Sequence, residues 1–381
     1  MNTVLDAKVN IARRSKLQRP KAIAILTGAR NKGLDMARAL AIFIMVLVNF
    51  KVNLDAADAG PGWLVWITGL FDGRAAATFV ILAGMGISLL SRSGKYSDIR
   101  HVREIILTRA ALFFICGLFL RQYWESDILH FYGIYFLLGA LFLNASSRTL
   151  LLLTGIAIAC FPVLHYCFDF DYGLAFFSLG ESYWTDSDIF TSLAFNGTYP
   201  LYPWIAFFIF GMWLGRKNLQ DPSTWKKLVF YGVVCAILAE ISSLVFLDII
   251  ENGDFGLSQA MLASILLINF TPPMPLFMVS AGATACAVIG FGLLIERRFA
   301  GRIWFKSLAC AGRLALTLYF AHIIVGLGIL RVLDRGDGQT LVLATCSAAV
   351  FCIVSVVFAN IWSKFFPHGP CEWVLRRAAI F

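Results

Sequence analysis

The chain has 381 residues, 59% of them hydrophobic and 14% charged, with a mean hydropathy of +0.76 and a formal net charge of +9. That balance lies outside the soluble globular range, and several apolar runs reach the roughly 20 residues that cross a hydrocarbon core. The runs are spread almost evenly, which predicts one polytopic all-α membrane bundle and excludes a set of soluble domains. The basic surplus does not indicate nucleic acid, because Lys and Arg sit in short blocks between the apolar runs. Nine cysteines show no metal or redox spacing, so neither a metal site nor a disulfide framework is expected.

Residues 1–33 carry Arg13, Arg14, Lys16, Arg19 and Lys21 but no apolar core of the length a secretory signal needs. They read as a basic cytoplasmic tail facing anionic lipid. Ten spans follow, at 36–53, 63–91, 107–121, 127–144, 149–168, 200–215, 227–249, 274–295, 313–331 and 340–362. The third and sixth are short for a bilayer, and the second is long enough to be tilted or broken near Gly69 or Gly73. Residues 34–365 form the membrane domain in this reading, and 366–381 a second cytoplasmic tail. With both termini inside, the connections 91–109, 216–227 and 296–313 are cytoplasmic, and about 26 of the 32 basic residues lie on that side, as the positive-inside rule requires. The opposite loops are acidic and include Glu125, Asp127, Glu251 and Asp254. The apolar stretch 259–270 is too short to cross and ends at Thr271-Pro272-Pro273, so an outer interfacial or re-entrant helix is expected there. The acidic, aromatic connection 169–199 is the longest, and is expected to be either a lid or a solvated loop.

Ionisable groups at membrane depth are costly and mark cavities, relays or buried pairs. Asp35 and Arg38 share a helix face and can pair across a turn, although Arg38 can equally mark the membrane border by snorkelling. Asn49 lies further along nearly the same face, suited either to an interhelical hydrogen bond or to a ligand. Asp72 and Arg74 stand too close in sequence to share a face, so each is expected to find a partner on another span. His130 and His322 fall inside apolar helices, where each is a candidate general base or a hydrogen-bonded core residue. No Gly-x-Ser-x-Gly, Walker-type or His-Glu-x-x-His motif occurs.

Leu34-Asp35-x-x-Arg38 leading to Asn49, followed by Phe71-Asp72-Gly73-Arg74 to Gly84, resembles the first two helices of the heparan-alpha-glucosaminide N-acetyltransferase catalytic domain family. Ile128-Leu129-His130-x-Tyr132-Gly133, Tyr199-Pro200-Leu201-x-Pro203-Trp204, Gly312-Arg313-x-Ala315-Leu316-Thr317-x-Tyr319 and Gly369-Pro370-Cys371-Glu372-Trp373 are similar to a related YeiB-type bacterial family of unknown function. The resemblance implies a transmembrane acyltransferase of the bacterial cytoplasmic (inner) membrane, with acyl-CoA, in the first place acetyl-CoA, as co-substrate and a glycan as acceptor. Its expected partners are membrane lipid, acyl-CoA, that acceptor and a second copy of the chain in a homodimer. Within that reading His322, His130 and Asn49 are the candidate catalytic residues, and Asp35, Arg38, Asp72, Arg74 and Tyr319 the candidate substrate-binding residues. The acetyltransferase family carries its catalytic His in the loop between the first two helices, whereas residues 54–66 here contain none. A base from elsewhere in the chain is therefore required. A solute transporter and a catalytically inactive scaffold are the alternatives.

Overall fold

The computed structural model describes residues 30–94, 98–124, 127–168, 199–253, 258–333 and 338–379. The tail 1–29 and nearly all of the long connection 169–199 lie outside them. Every regular element among the described residues is helical.

The first span is α1 (Lys32–Asn53). The second is two helices, α2 (Gly62–Gly69) and α3 (Arg74–Arg92), separated where the sequence predicts a break. Gly73 occupies the left-handed region at φ 70°, and a Cβ there would press on the rings of Phe270 and Phe277, so only glycine fits. Next come α4 (Ile99–Arg121), α5 (Leu129–Leu141) with a 3-10 turn at Phe142–Asn144, α6 (Ser147–Phe168) and α7 (Leu201–Leu214). The second half holds α8 (Pro222–Asn252), the short α9 (Ser258–Leu266) and α10 (Pro275–Phe299). It continues with α11 (Ile303–Arg313), α12 (Ala315–Val332), α13 (Leu341–Phe365) and α14 (Pro370–Ala378). A π turn at His322–Leu327 interrupts α12.

Each of the ten expected ranges is helical, and seven helical stretches are long and apolar enough to cross a membrane. Two expectations are corrected. The third helix runs beyond its apolar stretch: α4 starts at Ile99 on the cap of Asp98, whose side chain accepts from the Arg100 amide, so Arg100, Arg103 and Arg109 belong to the helix rather than to a loop. The connection 296–313 is largely helical too, because α11 places Phe305 and Ala309 on one buried face and exposes Ile303 and Trp304. At nine residues, α9 is far too short to span.

Helix α1 is the axis of the bundle. It packs against α3, α10, α11 and α13, and its most apolar window is 72% buried, against 11% for α8. Gly33 on α1 and Gly292 on α10 face each other, so the two backbones touch. Helix α8 rests on α10 and otherwise displays Phe230, Ile237, Leu238, Ile241 and Leu244 outward, as a lipid-facing helix does.

Candidate active site

Two helices carry the innermost polar groups, and each begins on a carboxylate from another element. The first amides of α1 are met by the Asn31 side chain, which accepts from Leu34 N at 3.1 Å, and by Glu296 of α10, which accepts from Lys32 N (3.1 Å) and Gly33 N (2.7 Å). The first amides of α12 are met by Glu372 of α14, which accepts from Leu316 N (2.8 Å), Thr317 N (3.1 Å) and the Thr317 hydroxyl (2.5 Å). Both arrangements satisfy orphan amides and favour the helix dipole, and both fix the axial position of the helix.

Asn49 of α1 and His322 of α12 meet inside the bundle. The Asn49 Nδ2 lies 2.9 Å from His322 Nε2, with Asn49 7% and His322 0% exposed. His322 opens the π turn, an irregularity that recurs at functional sites. Its Nδ1 is buried without a hydrogen-bond partner among the described residues. With the ring proton assigned to Nδ1, the Nε2 lone pair accepts from the Asn49 amide.

Tyr319 stands three residues before His322, with ring centroids 5.2 Å apart at 65°. Its hydroxyl donates to Asp127 Oδ1 at 2.6 Å. Asp127, expected where an acidic outer connection enters the fourth span, is 1% exposed. Its Oδ2 accepts from Leu129 N at 3.0 Å and lies 3.5 Å from Nδ1 of the buried His130. Asn49, His322, Tyr319, Asp127 and His130 thus form one run of polar groups through an apolar core.

Asp72 and Arg74 take separate partners, as their spacing predicts. Both oxygens of Asp72 accept from Lys51 Nζ at 2.7 Å, and Lys51 is only 4% exposed and two residues beyond Asn49. Arg74 donates to the Leu70 carbonyl (2.6 Å) and to Ser280 (3.1 Å), and pairs with Glu240 of α8. The pairs link α1, α3, α8 and α10 across the broken second span.

Asp35 and Arg38 do not join this cluster. They lie at the other end of α1, fourteen and eleven residues from Asn49 and so about 21 and 17 Å away along the axis. There the Asp35 carboxylate is gripped by Arg38 (2.6 Å) and by Arg30 through Nε (2.5 Å) and Nη2 (3.0 Å). His368 sits in the field of Arg376, Arg30 and Arg313. Partial burial first, and these arginines second, hold its imidazole below the ordinary histidine value. The Arg313 Nε is buried without a partner among the described residues.

Sequence reasoning missed Lys51, Asp127, Glu240, Ser280 and Glu372. Glu240 carries the signal that singled out Asp72, a charge inside an apolar helix, and Asp127 stands one helical turn before His130. Glu372 is marked only by the Gly369–Trp373 motif, which does not give its role, because that depends on docking α14 against α12.

The model of the family described as heparan-alpha-glucosaminide N-acetyltransferase, catalytic, matches residues 30–247. A second family, described as a protein of unknown function (DUF418), matches residues 213–381. No curated protein matches the chain. Asn49, Asp127 and His130 fall in the first match, while Tyr319 and His322 fall in the second, so the polar run is assembled across both. With seven helices fit to cross a bilayer and more than half of its length in the first match, the chain is an integral membrane protein that belongs to the heparan-alpha-glucosaminide N-acetyltransferase catalytic family.

Proposed function

We propose that the protein is a membrane acyltransferase that moves an acyl group, in the first instance acetyl, from cytoplasmic acyl-CoA to a glycan or other small acceptor. In this reading ten segments cross the bacterial inner membrane and both termini are cytoplasmic. The buried Asn49–His322 hydrogen bond carries the proposal. It supplies, from α12, the imidazole that residues 54–66 lack.

The chemistry needs a base for the acceptor and a donor for the thioester oxygen. When both substrates are bound, the acceptor hydroxyl or amine replaces Asn49 as donor to His322 Nε2. As the acceptor oxygen or nitrogen bonds to the acyl carbon, His322 takes its proton. The carbonyl oxygen gains charge and is met by the freed Asn49 amide. The C–S bond then breaks, and the thiolate recovers the proton from the His322 imidazolium, which leaves CoA and the acylated acceptor. Arg30, Arg38, Arg313 and Arg376 lie at the opposite end of α1 and α12 and suit the phosphates of CoA. An extended pantetheine arm would run between the two ends.

The test is acetyl-CoA binding and turnover by purified protein in proteoliposomes, with glucosamine as the acceptor probe. His322→Ala and Asn49→Ala are each expected to lower turnover by about 10²–10³, with acetyl-CoA still bound. Failure of the unaltered protein to bind any acyl-CoA would overturn the proposal. Solute flux without acyl transfer would assign the chain to transport.

A further inference from the structure

Asp127 has no place in the acyl-transfer scheme above, yet it is a carboxylate buried to 1% exposure in the core. Three groups converge on it: the Tyr319 hydroxyl, the Leu129 amide and the His130 imidazole. The cost of dehydrating a carboxylate to 1% exposure is met here by hydrogen bonds alone, since no Lys or Arg pairs with it among the described residues. His130 is 2% exposed, and its Nε2 has no hydrogen-bond partner among the described residues. Buried polar atoms left unpaired in a native fold call for an explanation. The backbone around this ring is also fixed: α4 crosses α5 at Gly117, where a Cβ would run into the His130 backbone, and the Phe131 ring lies 4.0 Å from the imidazole.

We propose that Asp127 is a positioning residue that fixes His130 with its proton on Nδ1 and presents Nε2 as the acceptor-side hydrogen-bonding group of the site. The ligand for Nε2 is an O–H or N–H donor, namely the acceptor that receives the acyl group. This proposal rests on the acyltransferase reading for the identity of that ligand, but not for the state of His130. The second oxygen of Asp127 holds Tyr319, three residues from His322. One carboxylate therefore sets the spacing between the imidazole that holds the acceptor and the imidazole that takes its proton. The 3.5 Å separation of Nδ1 and Oδ2 is long for a charge-assisted bond, as resting sites often are before substrate closes them.

Two measurements test this on the full chain. The first is ¹⁵N spectroscopy of histidine-labelled protein, in which five imidazoles are resolved by single substitution. His130 is expected to show an unprotonated Nε2 and a protonated Nδ1, and Asp127→Asn to lose that fixed tautomer. A protonated Nε2 in the unaltered protein, or an identical His130 signature in Asp127→Asn, overturns the proposal. Should Asp127→Asn fail to fold, Tyr319→Phe keeps the carboxylate and is expected to leave the His130 tautomer unchanged, and a shifted tautomer there counts against it. The second measurement is the kinetic split with acetyl-CoA and glucosamine. Asp127→Asn is expected to raise the KM for glucosamine at least tenfold while the KM for acetyl-CoA stays within threefold. An equal rise in both would also overturn the assignment. If the unaltered protein turns over no acetyl-CoA, the acyltransferase reading fails by itself, and the spectroscopy still decides the role of Asp127.

Discussion

The Lys51–Asp72 pair gives the sharpest energetic test of the fold, because its two members differ in what they lose. The Lys51 side chain is 5% exposed and that of Asp72 33%, with both carboxylate oxygens 2.7 Å from Nζ. At an effective dielectric of ~20, unit charges at that distance attract by roughly 6 kcal/mol. Dehydrating the ammonium costs several kcal/mol, so the net gain over an apolar pair is close to zero. Removing only Asp72 strands a buried cation. Asp72→Ala is expected to cost about 3–5 kcal/mol. Removing only Lys51 is milder, because the remaining carboxylate can reach water: Lys51→Met is expected to cost about 1 kcal/mol. The combined Lys51→Met, Asp72→Ala protein is then expected to lie within about 1 kcal/mol of the original. Thermal or denaturant unfolding in a single detergent, read on all four proteins, closes the cycle. The reasoning is refuted if the two single losses add in the double variant, or if Lys51→Met is as damaging as Asp72→Ala.

Two further outcomes follow from the other end of α1. A Cβ on Gly33 would stand 2.8 Å from the Gly292 carbonyl and the Leu293 Cα, so Gly33→Ala must push α1 from α10 and is expected to cost about 1–3 kcal/mol. Gly86→Ala, with nothing within 4 Å of the new methyl, is the control and is expected to be neutral or to gain up to about 1 kcal/mol in the same unfolding assay. At His368, burial and then Arg376, Arg30 and Arg313 disfavour the protonated ring. An anion that neutralises these arginines lets the ring take up a proton, so binding must tighten as the pH falls through the ordinary histidine range. Titration calorimetry with acetyl-CoA is expected to show higher affinity at pH 6 than at pH 7.5. His368→Asn is expected to reduce that difference, and an unchanged difference removes His368 from the anion's surroundings.

Much of this architecture is written locally. The break at Gly73, the helical face shared by Asp35 and Arg38, and the divergence of Asp72 from Arg74 all follow from spacing within a few residues. So does the burial of Asn49, His130 and His322, because their neighbours are apolar. Partnership is a different matter. Asn49 and His322 lie 273 residues apart, and Arg74 and Glu240 lie 166 apart. No periodicity in either helix encodes which distant helix it will meet. The amphipathic α11 was hidden for another reason: Arg297, Arg298, Arg302, Lys306 and Arg313 make 296–313 look like a loop, although the same charges suit a helix lying at a membrane border.

The order in which α1 finds its partners has a consequence for synthesis. Asp35 is neutralised by Arg38 three residues on, and Lys51 by Asp72 twenty-one residues on. The charges of the first helix are therefore cancelled as soon as the second segment has left the ribosome. Asn49 must wait for almost the whole chain before His322 emerges. An uncharged amide is the polar group that a nascent helix can best leave unmatched in lipid during that interval. Arg74, whose carboxylate comes late, meanwhile leans on the carbonyl of Leu70 in the turn before it. The Asn49–His322 hydrogen bond thus closes late in synthesis, and no chain translated short of His322 possesses it.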